Sequence, residues 1–527
     1  MIKLSEIQWG PFDAADPDEL FTEKFVEPKE IKRLLQDNIF IISGEKGSGK
    51  TAIRQALLQK YKNLYDQIAD IDFDDLEYSS IIYNLDQLSQ VTNLPRLNLM
   101  TNYWTYVLFI EAMKEYIVSN KSKNDVNYGL IHDYLSKKGL IEASHLRVFL
   151  NLISHCWTFI DRFTKSKEKT ETNNLPFLPS NLAPDVIEQI HKYPVFDKEF
   201  IKIREIFGKA LSENNISILM ILDGFDRFEN KAGIKQDVNM IFESLIESVY
   251  DISISNTFCK YIKIKALIPH DRYISINLRD SDKFDGKQKS IKWSYNGLKR
   301  FLFQRMIIHN KLNNISEFKN VWGEVLPETI INPHYNVEEN TFEYILRHTM
   351  YRPRQYQIHL DKLASTYFDE VIDPSMIPAS IRESSKKNVD FYLKEYFIDH
   401  PNLKAFIKKF RDKENVMTYE SFKNIILEAL KKYEVNGKKV DDKVDDLYKM
   451  SFFGIIRPLK EHHMAKKEDF PYIPPRKHGI ESYHVEFYFK SPTSTISTDL
   501  NDDDLIAIHP MFLDFADMRP HPDYIIG

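Results

Sequence analysis

The stretch GEKGSGKT places Gly44, Gly49, Lys50 and Thr51 at the spacing G-x-x-x-x-G-K-[ST], with further turn residues at Gly47 and Ser48. Residues of these types in this order suit one task, which is holding phosphate. Glycines let the backbone curl with its N–H groups turned inward, so that phosphate oxygens can touch the main chain from Gly44 through Glu45, Lys46, Gly47, Ser48 and Gly49. A helix beginning immediately afterwards adds its unpaired amides, Ala52 included, and the positive end of its dipole. Lys50 would neutralise the β- and γ-phosphates and the Thr51 hydroxyl would ligate a metal ion. The expected ligands are ATP and Mg²⁺.

Such a loop needs a carboxylate from a neighbouring strand to orient the metal. NNISILMILDGFDRFEN supplies it: an uninterrupted apolar run from Ile216 to Leu222 ends in Asp223, at the carboxyl edge where ligands bind in open parallel sheets. Asp223 takes the Mg²⁺ role. Asp226 is the candidate to position or activate an attacking water, with Glu229 as the alternate. Farther on, KYIKIKALIPHDRY reads as another strand, whose end would bring His270 and Asp271 near the γ-phosphate. Arg352 and Arg354 flank Pro353 between two helices; either could reach the phosphates from a lid, or serve only as a helix-start residue.

These side chains need elements to position them. Ile39 to Ile42 reads as a short buried strand, and TAIRQALLQKY as the helix that follows the loop. DQIADIDFDDLEYSSIIY can supply a further strand and its turn, and LMTNYWTYVLFIEAMKEYIVSN reads as a long amphipathic helix. Mainly helical segments follow up to Phe207, interrupted by the polar, proline-marked 164–184 as an exposed loop. KQKSIKWSYNGLKRFLFQRMI gives a last strand and a helix leaving the core. The expected organisation is an α/β core of parallel strands over 1–294 with a helical insertion at about 86–212, a helical lid over 295–378, and a mainly helical C-terminal domain over 379–527. In that last part helices precede strand-like YHVEFYFKSPTS and DLIAIHPMF, the pattern of a winged-helix-like module, with His509 read as a hydrogen-bonded structural histidine.

Composition narrows the function classes. The chain has 527 residues, of which 43% are hydrophobic and 28% charged, enough for packed cores in two or three domains. A net charge of -6 excludes a wholly basic nucleic-acid binder, although one local basic face stays open. Cys156 and Cys259 stand far apart and outside any metal-ligand spacing, as expected in a reducing compartment. The opening lacks a basic-then-apolar signal and no apolar run reaches membrane-spanning length, so a cytoplasmic protein without a membrane partner is expected.

Taken in order, GEKGSGKT, ILDGFDR, IKWSYNGLKRFLFQR and MYRPRQ resemble prokaryotic P-loop ATPases of the AAA+, STAND and KAP-like type. WGPFDAADPDELFTEKFV and IAIHPMF are similar to a bacterial subset of them associated with defence or mobile-element loci. The resemblance implies a parallel αβα P-loop NTPase sheet, in which the Walker B strand is separated from the P-loop strand by one other, and then a helical lid. It implies a nucleotide-controlled switch working in a homo-oligomer or with a separately encoded effector protein, in a bacterial antiphage defence setting. Two departures bear on turnover. Many AAA+ enzymes carry Asp-Glu at Walker B, whereas Gly224 follows Asp223 here; and Pro269-His270 stands where many of the resembled proteins have an arginine. A slow ATPase is therefore expected rather than a fast motor. The competing readings are an ATPase that grips DNA through its winged helix and a scaffold that binds ATP without hydrolysing it.

Overall fold

The computed structural model describes residues 3–7, 9, 25–28, 31–73, 78–92, 94–119, 125–145, 147–148, 150–154, 198–225, 235–276, 281–284, 286–310, 318–368, 370–397, 399–432, 440–458, 483–490 and 500–526. The exposed-loop reading of 164–184, Cys156, Asp226 and Glu229 lie outside them. The chain divides into two compact units, Glu30–Ile291 and Met1–Lys29 with Lys292–Gly527.

The first unit is α/β. Its five strands, β1 (Ile41–Gly44), β2 (Gln67–Asp72), β3 (Ile218–Asp223), β4 (Ile262–Pro269) and β5 (Gln288–Ser290), form one all-parallel sheet in the order β2-β3-β4-β1-β5. Strands β1 and β3 are buried along their whole length, which suits their unbroken apolar runs to the middle of a sheet covered on both faces. One strand, β4, separates β3 from β1. Register then aligns the strand ends: Gly44 lies opposite Pro269, Ser43 opposite Ser290, and Asp72 opposite Asp223.

Helix α1 (Lys50–Gln59) presents Ile53, Ala56 and Leu57 inward at helical spacing, the stripe that fixes it against the sheet. Helix α2 (Arg96–Val118) is the long segment expected from sequence, but it is not amphipathic. Leu99, Tyr103, Trp104, Val107, Phe109, Ile110 and Met113 point to several sides of the helix, and all are buried. The reason is that α2 is enclosed: it packs along α3 (Lys235–Ile254), beside β2 and β3, and against the helices Tyr78–Thr92 and Val126–Lys137. An all-round apolar helix is a core element. A short helix, α4 (His270–Ser275), follows β4 directly.

The second unit begins its main run with helices Tyr295–Asn310 and Phe318–Val325, a small hairpin of β6 (Thr329–Ile331) and β7 (Glu338–Asn340), and helix Thr341–Leu346. Helices α5 (Pro353–Thr366) and α6 (Met376–Glu395) pack on each other. Residues 1–29, which the sequence reading joined to the core, cluster with this unit. Leu4, Ile7, Trp9 and Val26 bury their apolar side chains in the cluster that includes Leu298, Leu302 and Trp322. The last part holds β8 (Val416–Thr418), α7 (Tyr419–Lys432), α8 (Val440–Lys449), β9 (Phe453–Pro458), β10 (Tyr483–Phe487) and β11 (Leu505–Ile508). Its four strands make an antiparallel sheet ordered β10-β9-β11-β8. Among the described residues no helix is long and apolar enough to cross a membrane.

Candidate functional site

The turn from β1 into α1 lies at the carboxyl edge of the sheet, where β1 is flanked by β4 on one side and β5 on the other. The chain leaves β1 towards β2 and leaves β4 towards β5, in opposite directions across the sheet, the arrangement at whose carboxyl edge ligands bind in open parallel sheets. The loop geometry depends on glycine at specific positions. Gly47 and Gly49 have φ of 79° and 103°, which side-chain-bearing residues rarely adopt. A Cβ on Gly44 would lie 2.5 Å from Ser48 Oγ and 3.2 Å from Lys50 Cγ, so the first glycine is fixed by close approach.

Lys50 lies back across this loop. Its Nζ donates to the carbonyl of Gly44 at 2.9 Å and to that of Glu45 at 3.4 Å, and the residue is buried. This amine spans the mouth of the turn. Thr51 and Ala52, in the first turn of α1, are half-buried. Glu45, Lys46, Gly47, Ser48 and Gly49 form the turn between β1 and α1.

Asp223 ends β3, two strands away, and is buried. Gly224 follows with φ of 89°. That conformation explains the missing glutamate: a side chain there would be strained. Asp223 belongs to a charge cluster that sequence reasoning passed over. Arg54, one turn beyond Thr51, grips Asp70 with Nε and Nη2 at 2.7 and 2.9 Å and Asp72 with Nη1 at 2.7 Å, while Nη1 stands 3.8 Å from Asp223. Burial opposes the guanidinium charge, but hydrogen bonds to Asp70 and Asp72 outweigh it and hold its pKa above the ordinary value. The signal was available in the alternation of QIADID, which sends Asp70 and Asp72 to one face of β2, the face α1 must cover.

His270, at the end of β4, also reaches the loop strand. Its Nδ1 is 3.1 Å from the hydroxyl of Ser43, the residue before Gly44. Ser43 Oγ further contacts Ser290 Oγ at 2.8 Å and accepts from Gln288 Nε2 at 2.5 Å, joining β4, β1 and β5. Asp271, by contrast, is 3.3 Å from Nε of the fully buried Arg272.

Arg352 and Arg354 belong to the other unit. Pro353 takes the first position of α5, and Arg352 is its N-cap residue. Arg352 Nη1 donates to Glu395 Oε2 on α6 at 2.6 Å, with the two side chains 5% and 7% exposed. Arg354 is half-buried on the first turn of α5. His509 is buried and its Nδ1 accepts from the amide of Met511. Burial, followed by the positive charge of Lys490, pushes the His509 imidazole down to about 3.

Among the described residues no group of three or more His, Cys, Asp or Glu is arranged to hold a metal ion alone. The glycine cradle, the lysine across it and the carboxylate on a nearby strand instead suit a phosphate ligand that brings oxygens of its own to a metal. No protein-family model matches the chain, and no curated protein does.

Proposed function

We propose that the chain is a P-loop ATPase that binds ATP with Mg²⁺, hydrolyses it slowly and acts as a nucleotide-controlled switch. The observation that carries this reading is Lys50 laid across the Gly44–Gly49 turn, at the carboxyl edge of an all-parallel sheet. The loop amides and Lys50 bind the phosphates. Thr51 and Asp223 would hold the metal and its waters, and Mg²⁺ there would supply charge neutralisation to the phosphates. Asp226 positions the attacking water, with Glu229 as the alternate. Glycine at 224, in a conformation closed to glutamate, favours slow turnover.

The helices after Ser294 belong to the second unit. The order β8, α7, α8, β9, β10 supports a winged-helix-like module, with β11 inserted between β9 and β8. The helix in the recognition position, α8, presents Asp441 and Asp442 to solvent, while Lys443 is buried with Nζ 3.1 Å from His400 Nδ1. Carboxylates facing outward oppose a phosphate backbone, so this module serves protein contacts, with another copy of the chain or a separately encoded effector, rather than DNA. A cytoplasmic role in bacterial antiphage defence is the setting we assign.

The experiment is direct. Equilibrium binding of ATP with and without Mg²⁺, phosphate release, and particle size by light scattering are measured on wild type, Asp223→Asn and Asp226→Asn. Asp223→Asn should weaken the Mg²⁺-dependent part of binding, and Asp226→Asn should bind ATP without turning it over. ATP-independent particle size in the wild type would refute the switch. Tight duplex binding that weakens steeply with salt would refute the assignment of the C-terminal module.

A further inference from the structure

Arg54 stands among three carboxylates and bonds two of them. It lies one turn after Thr51 on α1, so it shares a face of the helix with the residue assigned above to the metal. Its Nε and Nη2 clasp Asp70 at 2.7 and 2.9 Å, and Nη1 donates to Asp72 Oδ2 at 2.7 Å. The same Nη1 is 3.8 Å from Asp223 Oδ2, beyond hydrogen-bond reach.

Asp72 and Asp223 are register partners on β2 and β3, and partners on neighbouring parallel strands send their side chains to the same face. Alternation along β2 puts Asp70 on that face too. All three carboxylates therefore lie on the side from which the guanidinium arrives. Asp223 is the most buried, its side chain 8% exposed against 30% and 40% for Asp70 and Asp72. A cation gains the most Coulomb attraction at the carboxylate that water screens least. Arg54 nevertheless directs its hydrogen bonds to the two that water screens more.

A carboxylate bonded to a guanidinium is a poor partner for a metal ion, because its lone pairs are occupied and its charge is offset. A guanidinium without counter-charges, 3.8 Å from Asp223, would also repel a divalent cation brought there. Asp70 and Asp72 set two negative charges against one positive, so neither penalty arises. Resting on the metal site proposed above, we propose that Asp72 is a positioning residue: with Asp70 it holds Arg54 off Asp223, and so keeps that carboxylate for the Mg²⁺ that a triphosphate carries. Asp70 fixes the plane of the guanidinium through two bonds. Asp72 takes the remaining arm, Nη1, which is the one beside Asp223.

The test titrates ATP into the full chain, once with Mg²⁺ and once with a chelator in its place. The quantity read is the factor by which the metal tightens binding. Asp72→Asn releases Nη1 towards Asp223 and should lower that factor about tenfold, the worth of one charge-assisted hydrogen bond. Removing the guanidinium as well, in Asp72→Asn with Arg54→Gln, restores the formal charge of the cluster and should return the factor to its wild-type value. If Asp72 instead met the metal's own waters, the loss would persist in the double variant, and that result overturns the proposal. An unchanged factor in Asp72→Asn overturns it as well. A wild type that binds ATP equally with and without Mg²⁺ refutes the metal site, and this proposal with it, but spares the loop. One that binds no ATP refutes the P-loop reading itself. Thermal midpoints without nucleotide show that each protein is folded; should the double variant fold poorly, Arg54→Met takes the place of Arg54→Gln and decides in the same way.

Discussion

Arg352 offers a sharp test because its two possible roles predict different losses. Its guanidinium and the Glu395 carboxylate are 2.6 Å apart and both are almost fully buried. Removing one member of such a pair strands the other charge in a poor solvent, which costs about 3–5 kcal/mol. Replacing both by apolar residues of similar volume removes two desolvation penalties together and is often close to neutral. Arg352→Ala should therefore lower the midpoint of its unit by roughly 10 °C, taking about 2–4 °C per kcal/mol for a body of this size. The double variant Arg352→Met with Glu395→Leu should recover most of that loss. Scanning calorimetry of the full chain separates the units, since only the transition of Glu30–Ile291 should rise with ATP and Mg²⁺. If Arg352→Ala melts like the wild type yet loses its response to ATP, the ion pair is incidental and the phosphate-sensing role belongs to Arg352 after all.

Further outcomes follow from other buried groups. His359 is buried with Nδ1 2.7 Å from Ser384 Oγ, and burial lowers its imidazole to about 4. The unfolded chain protonates histidine near pH ~6.5, so the second unit should be fully stable above that value. As pH falls from ~6.5 towards 4 it should lose about 3 kcal/mol for His359 and a similar amount for His509, whose loss continues down to about 3. Urea midpoints at pH 7.5 and 5 check this, and equal midpoints would contradict it. Arg54→Ala removes the clamp on Asp70 and Asp72 and should cost about 2–3 kcal/mol in the first unit, with Arg54→Lys recovering only part because an ammonium lacks the fork. Full recovery by lysine, read by the same calorimetry, would show that only charge matters there.

Much of the first unit was legible because its signals are local. The apolar run before Asp223 and the glycine loop before α1 each declare a strand end and a turn from a few residues, and the strand set forms an all-parallel sheet. What escaped depends on register, which no short stretch carries. Ser43 looks like an ordinary strand residue until β4 and β5 pair on either side of it, and Arg54 looks like a solvated helix residue until β2 arrives beneath α1. The all-round burial of α2 was hidden for a related reason. Tyr103, Tyr106 and Tyr116 carry polar atoms that read as a wet face, yet Tyr106 and Tyr116 are bonded inside to Asn151 and Asp125 and all three are buried. Arg352 shows what a motif leaves out: the glutamate that it bonds lies forty-three residues later, on another helix.

The central claim is that the Gly44–Thr51 loop binds the phosphates of ATP through Lys50. Isothermal titration of ATP with Mg²⁺ into full-length wild type and Lys50→Ala tests it most directly, with thermal midpoints without nucleotide as the control for folding. The account predicts binding by the wild type and a loss of between about tenfold and a hundredfold in the variant, since the substitution removes the amine that spans the Gly44 and Glu45 carbonyls and that the account assigns to phosphate. Equal affinity in the two proteins, with equal midpoints, would contradict it.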